Sequence, residues 1–210
     1  MELRIINLLG QLTDYEEAWQ LQRTIHEEVV QGGTNTLILV EHPPVFTAGK
    51  RTQPEDRPWD GSKVIEVDRG GRITWHGPGQ LVGYPLIRLP QPVDVMAYVH
   101  LLEDSLMATC REFSITTTRV PDRTGVWVPK SDSGDKIAAI GVRVARGVTM
   151  HGFALNCSSD LSWFERIVPC GIPDAGVTSI SNETGQKVDI DDVLDIVLSD
   201  LKPRLLDFAL

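Results

Sequence analysis

The chain is poor in cysteine, in aromatic side chains (6%) and in positive charge, and it has no long apolar run. Its three cysteines, Cys110, Cys157 and Cys170, are odd in number and widely spaced, which argues against the disulfide framework of a small secreted domain. Reduced thiols are expected. No two cysteines sit at a close pairing distance and no His-x-x-x-His element is present, so no structural metal is expected. Lys and Arg number 20 against 29 Asp and Glu, a formal charge of -9. Neutralising phosphates needs a dense basic surface, so nucleic acid is not an expected partner, and an acidic partner must meet a local basic patch. No segment is apolar over the length needed to cross a bilayer. The first nine residues carry an acid at position 2 and too short an apolar stretch for a secretory signal, so a cytoplasmic protein is expected.

What is present is ordinary for a soluble globular chain, with 41% hydrophobic and 23% charged residues in 210, and one domain over 1–210 is expected. Asp14 caps a helix whose stripe is Ala18, Leu21, Ile25 and Val29, and Gly32-Gly33 stops it. Thr36 to Val40 suits a buried strand before Pro43-Pro44, and a loop follows from Gly49 to Lys63. Strands are expected at Val64 to Val67, Ile73 to His76 and Leu81 to Leu89. A second helix runs from its cap Asp94 to Phe113, on the stripe Val95, Tyr98, Val99, Leu102 and Leu106. Val126 to Val128 is short and β-like. Ile137 to Ala145 meets Val148 to Asn156 in a hairpin across Arg146-Gly147. A brief helix at Leu161 to Ile167, a turn-rich loop from Val168 to Ser179 and a terminal helix from Asp189 to Leu206 complete the chain. Strands cluster in the middle and helices lie at both ends. The expected fold is therefore α+β, with a mostly antiparallel sheet flanked by helices.

Three glycine-punctuated segments combine small residues with reactive groups. In Arg69-Gly70-Gly71-Arg72-Ile73-Thr74-Trp75-His76 and the following Gly77-Pro78-Gly79, glycines let backbone approach a ligand closely, but two tight turns around a strand explain them equally well. In the hairpin, Lys136 opens a strand of small residues that faces His151 to Ala154. The space so left suits a ligand tail or close packing, and His151 by itself reads as a satisfied sheet histidine. In Pro169-Cys170-Gly171 a thiol sits in irregular backbone, whereas Cys110 and Cys157 read as buried small hydrophobes.

At these segments the sequence resembles the octanoyltransferase family, also called lipoate-protein ligase B. The resemblance rests on Glu41 to Gly49, on Arg69 through Pro85, on Arg123 to Trp127, on Lys136 to Gly141, on His151 to Asn156 and on Pro169-Cys170-Gly171. It implies a fold like that of biotin and lipoate ligases, an octanoyl donor carried on acyl carrier protein, and acceptor lysines on the lipoyl domains of 2-oxoacid dehydrogenase complexes and on glycine cleavage H protein. No ATP, metal or other cofactor is implied. Cys170 matches the acyl-thioester nucleophile and Lys136 the lysine that lowers its pKa. Arg69, Gly70, Gly71, Arg72, Ile73, Thr74, Trp75 and His76 match the acyl-pocket lining, together with Ala139, Ile140, Gly141, Gly152, Phe153 and Ala154. Backbone N–H groups near Gly77 or Gly171 are candidate oxyanion donors. Asp132 and Asp135 stand beside Lys136 in sequence and are placed to hold it charged, which would weaken it as a base. Lys50, Arg51 and Arg57 are the basic patch expected to meet the acidic carrier. Two other readings use the same residues, an ATP-dependent ligase of this fold and a non-catalytic module that binds acyl groups or lipoyl domains.

Overall fold

Helices start where carboxylates take up the free N–H groups of a first turn. The Asp14 carboxylate accepts from the N–H groups of Glu16 and Glu17 at 2.8 and 3.2 Å and opens helix α1 (Tyr15–Val30). Asp94 accepts from Ala97 N–H at 2.9 Å and opens α2 (Val95–Glu112). A short α3 (Ile180–Thr184) ends at Gly185 in the left-handed region, and Asp189 forms a capping box with Asp192 at the start of α4 (Ile190–Phe208). The structure is a computed structural model that describes residues 2–130, 134–168 and 176–209.

The strands, in chain order, are β1 (Leu3–Leu12), β2 (Asn35–Glu41), β3 (Val45–Ala48), β4 (Val64–Glu66), β5 (Ile73–His76), β6 (Gln80–Leu86), β7 (Thr118–Val120), β8 (Arg123–Val128), β9 (Asp135–Ala145), β10 (Val148–Asn156) and β11 (Gly176–Val177). Among the described residues they form an eight-stranded sheet ordered β1-β2-β6-β10-β9-β8-β7, with β11 also on β9, and a three-stranded sheet ordered β4-β3-β5. Among the described residues, only β1 on β2, β11 on β9 and β4 on β3 are parallel. The fold is α+β with a mostly antiparallel sheet.

Alternation along β2 sends Leu37 and Leu39 to one face and Ile38 and Val40 to the other, and all four are fully buried. The first face packs under α2 and α4, through Leu102, Leu106, Val197 and Leu201. The second lies against α1, through Ala18, Ile25 and Val29. The small sheet has its own core of Phe46, Ile73, Trp75, Phe164 and Ile167.

Sequence expectation and structure part company at strands with distant partners. β1 reads only as an N-terminal segment until β2 is brought beside it by the α1 crossover, and β3 hides between Pro44 and Gly49 until β5 pairs with it. The strand expected to continue to Leu89 ends at Leu86, because the Ile87 and Arg88 N–H groups are taken by side chains, Thr149 Oγ1 and Asn35 Oδ1, both at 2.9 Å. Among the described residues no helix is long and apolar enough to cross a membrane.

Candidate active site

The register of β9 and β10 sets Ala139 opposite Ala154, Ile140 opposite Phe153 and Gly141 opposite Gly152. With so little side chain on these strands, the loop at 69–72 lies directly on the sheet, its Gly70 N–H donating to Val142 O at 2.9 Å. A Cβ on Gly141 would stand 3.0 Å from Arg69 Cδ, and one on Gly152 would meet Gly83 O at 2.2 Å. The glycines are needed for approach rather than for turning. Beneath the loop is a cavity of about 930 Å³.

Arg69, Gly70, Gly71, Arg72, Thr74 and His76 line it from the loop and β5, and Lys136, Ala139, Ile140, Gly141, Gly152, Phe153 and Ala154 from the hairpin. Ile73 and Trp75 do not. Successive side chains of β5 point to opposite faces, so these two are fully buried in the small sheet's own core, and their expected place in the pocket is corrected. Gly77 also stands outside this wall, and a Cβ there would run into the Trp75 ring at 2.0 Å, so its missing side chain makes room for that ring.

Arg69 holds the loop together. Its guanidinium donates to Gly70 O, Arg72 O, Thr47 O and Thr47 Oγ1 at 2.8 to 3.0 Å, tying loop to β3. Arg72 donates to the buried carboxylate of Asp56 at 2.8 Å. Both guanidinium groups therefore shape the cavity wall as well as facing it.

Lys136 is 8% exposed. Its ammonium donates to Thr124 O at 3.0 Å and stands 4.6 Å from the centre of the Trp127 ring, a cation–π arrangement. Space for its stem comes from Gly125, at φ 124°, where a Cβ would lie 2.6 Å from Ala138 O and 3.4 Å from Lys136 Cε. The expectation for Asp135 is corrected, since its carboxylate pairs with Lys130 at 2.8 Å, on the opposite face of the strand from Lys136. Asp132 lies outside the described residues. So do Cys170 and Gly171.

The other two thiols are inert. Burial pushes Cys110 and Cys157 up to about 12, where essentially no thiolate exists at neutral pH.

Several cavity residues escaped the sequence reading. Tyr15 and Tyr84, from α1 and β6, meet in the wall with His76, and His42 stands behind them. His42 Nδ1–H donates to Thr13 O at 2.7 Å, so its Nε2 accepts from the Tyr84 hydroxyl at 2.8 Å. His76 Nδ1 bonds Gln80 Oε1 at 2.7 Å. The Gln80 amide is spent on Asn156 Oδ1, so the carbonyl oxygen is the acceptor and the imidazole the donor. Burial dominates the electrostatics, lowering His42 to about 4 and His76 to about 3 and raising Tyr15 to about 12. Tyr15 reads in the sequence as the first residue of a helix, and nothing local marks it as part of a site.

His151 is not the satisfied strand histidine of the sequence reading. It has φ +57°, and its Nε2–H donates to Asp68 Oδ1 at 2.7 Å, while Asp68 also binds Arg143. Arg57, expected in a basic patch, is paired with Glu66 at 2.6 Å, whereas Lys50 and Arg51 are exposed and Arg51 reaches the cavity.

Comparison with known proteins agrees with this architecture. The sequence profile of the family described as "Lipoyl protein ligase A/B catalytic domain" matches residues 14–202. The chain is 59% identical to an octanoyltransferase of Salinispora arenicola, covering 88% of both chains, and 57% identical to one of Mycolicibacterium smegmatis, covering 91% of this chain and 85% of that one. In fold it is similar to a putative lipoate protein ligase from T. acidophilum with bound lipoic acid (TM-score 0.72, 14% identity, 98% and 87% covered). It is similar also to a biotin protein ligase from Aquifex aeolicus in complex with biotin and ATP (TM-score 0.54, 17% identity, 98% and 72% covered).

The buried neutral imidazoles make stability depend on pH. Unfolding returns His42 and His76 to a pKa of about 6.5, so below that pH the unfolded chain binds more protons and stability falls as pH drops towards 4. Each contributes on the order of 1.4 kcal/mol per pH unit, so urea unfolding at pH 5 should show a loss of roughly 3–4 kcal/mol against pH 7. His76→Gln should remove about half of that pH dependence.

Proposed function

We infer the function from one premise: this chain belongs to the lipoyl protein ligase A/B catalytic domain family, and relatives that match it over most of both lengths are octanoyltransferases. It is an acyltransferase of protein lipoylation. In the reaction we propose, the Cys170 thiolate attacks the thioester of octanoyl-acyl carrier protein, the carrier thiol leaves, and the octanoyl group rests on Cys170. A lysine amine of a lipoyl domain of a 2-oxoacid dehydrogenase complex, or of glycine cleavage H protein, then attacks. The amide forms and the cysteine thiolate is released. A thioester becoming an amide is downhill, so neither ATP nor a metal is required.

The observation that carries this reading is the cavity itself, where small residues of β9 and β10 clear a channel ending at a buried ammonium. An ordinary thiol is a few per cent thiolate at neutral pH, and a nearby ammonium lowers its pKa by about a unit or more. Connectivity supports Lys136 as that neighbour, because Val177, seven residues after Cys170, pairs in register with Lys136, and Thr178 N–H donates to Lys136 O at 3.0 Å. As the acyl group moves to Cys170, the departing carrier thiolate takes a proton from the Lys136 ammonium, and the neutral amine so formed accepts the proton that the incoming lysine must lose. The burial of Cys110 and Cys157, which pushes both thiols up to about 12, supports the choice of Cys170 as the nucleophile. Among the described lining residues, Arg51, Arg69, Arg72, Arg123 and Lys136 face only one carboxylate, Asp122, in a chain of charge -9. That local excess of positive charge suits an acidic carrier.

Mixing the pure protein with octanoyl-carrier protein and no ATP should give one covalent octanoyl adduct by intact mass, absent in Cys170→Ala. An adduct that forms only with ATP would point to a ligase, and none at all would refute the thioester mechanism. Alkylation of the native protein near pH 7 should modify Cys170 alone, and Lys136→Ala should shift the alkylation profile up by about one pH unit. An unchanged profile removes the electrostatic role of Lys136. Arg51→Glu should raise the KM for the carrier-bound donor at low salt, an effect that shrinks as salt is added.

A further inference from the structure

Lys136 is held by a peptide unit of β8, and that peptide is held in turn by an acid behind the cavity wall. The ammonium donates to Thr124 O at 3.0 Å, and the N–H of the same peptide, on Gly125, donates to Glu103 Oε1 at 2.9 Å. A trans peptide points its C=O and N–H in opposite directions, so an ammonium and a carboxylate grip it from its two ends. The strand itself does little to fix it. Among the described residues, β8 pairs with β9 only from Val126 onward, and its register on β7 breaks between the pairs Thr118–Trp127 and Val120–Arg123, which leaves Thr124 and Gly125 in the irregular stretch. Gly125, at φ 124°, adds the most pliant kind of backbone on one side of the peptide.

Glu103 is buried and stands on α2 one turn after Val99. Its second oxygen, Oε2, accepts from Arg119 Nε at 2.7 Å and from His100 Nδ1 at 2.9 Å, while Arg119 also donates to Asp104 at 2.6 Å and to His100 O at 3.0 Å. These bonds fix the carboxylate in one orientation, with Oε1 left for the peptide. An N–H that donates to an anion makes the carbonyl of its own peptide a better acceptor. The negative pole so strengthened at Thr124 O meets the Lys136 ammonium, and Thr124 and Lys136 both line the cavity. Glu103 does not line it.

We propose that Glu103 is a positioning residue for Lys136: it fixes and polarises the Thr124–Gly125 peptide, and the peptide sets where the ammonium stands. The consequence for the thiol rests on the acyl-enzyme reading of Cys170 and Lys136. The sign of the effect separates this role from a direct one. A carboxylate acting on a thiolate through space disfavours it, so removing Glu103 would, by charge alone, lower the pH at which the thiol ionises. Acting through Lys136, the same removal loosens the ammonium and raises that pH.

The test is the rate of Cys170 alkylation by iodoacetamide against pH in the intact protein, for the wild type, Lys136→Ala, Glu103→Ala, Glu103→Gln and the double variant of Lys136→Ala with Glu103→Ala. Glu103→Ala should shift the profile up by about half a pH unit, and Glu103→Gln, which keeps an acceptor for the Gly125 N–H, by less. In the Lys136→Ala background, Glu103→Ala should no longer raise it, since the two side chains act through one link. A profile that stays in place or moves down in folded Glu103→Ala, while Lys136→Ala moves it up, overturns the proposal, and so does an equal upward shift without Lys136. Should Glu103→Ala not fold, Glu103→Asp, which withdraws the carboxylate by a methylene, carries the same expectation and the same refutations. If Lys136→Ala itself leaves the profile unchanged, the acyl-enzyme reading of the pair fails, and a crystal structure of the folded Glu103 variant decides the positioning role alone. Lys136 Nζ still within hydrogen-bonding distance of Thr124 O then overturns it, and a displaced ammonium supports it.

Discussion

A single backbone hydrogen bond, Gly70 N–H to Val142 O, marks the contact on which the site is built, because it holds an irregular loop flat against a β-sheet. Side chains at Gly141 or Gly152 would hold the two layers apart or push neighbouring strands away. Arg69 completes the arrangement by drawing the carbonyls of its own loop and of β3 onto one guanidinium. Loops usually lie on surfaces since buried backbone polar groups must be satisfied. Here the sheet and an arginine satisfy them, and the loop becomes the wall of a cavity.

The cavity sorts its polar groups by charge. At the Lys136 end a full positive charge is buried, with a carbonyl and an indole face as partners. Deeper in, His42, His76 and His151 are kept neutral by burial, and Tyr15 and Tyr84 stay protonated. Ionised groups in a low-dielectric interior are expensive unless paired, so the buried imidazoles and phenols are neutral while the charged groups of the wall, Lys136 and Arg69 among them, are held by carbonyl oxygens.

Much of this was legible in the sequence where the physics is local. Asp14, Asp94 and Asp189 act within one turn of their own helices, and the small residues Ala139, Gly141, Gly152 and Ala154 belong to two strands joined by a tight turn. β1 and β3 were not legible, because each becomes a strand only when a partner from elsewhere in the chain lies beside it. The partner of Arg57 was not legible for a similar reason, since its ion pair with Glu66 exists only once the loop after β3 folds back on β4.

The sequence by itself determined the chemistry available: one loop cysteine beside two that read as core, a lysine opening a strand of small residues, and glycines wherever backbone must pass close to backbone. It determined the class of fold too, through periodicities of 3.6 and 2 that local sterics enforce. Tertiary structure alone decided which groups share the cavity. Alternation in β5 took Ile73 and Trp75 out of it and left Thr74 and His76 in, and the packing of α1 on the sheet added Tyr15. Side-chain direction depends on which face a neighbour buries, and that neighbour lies far away in the chain.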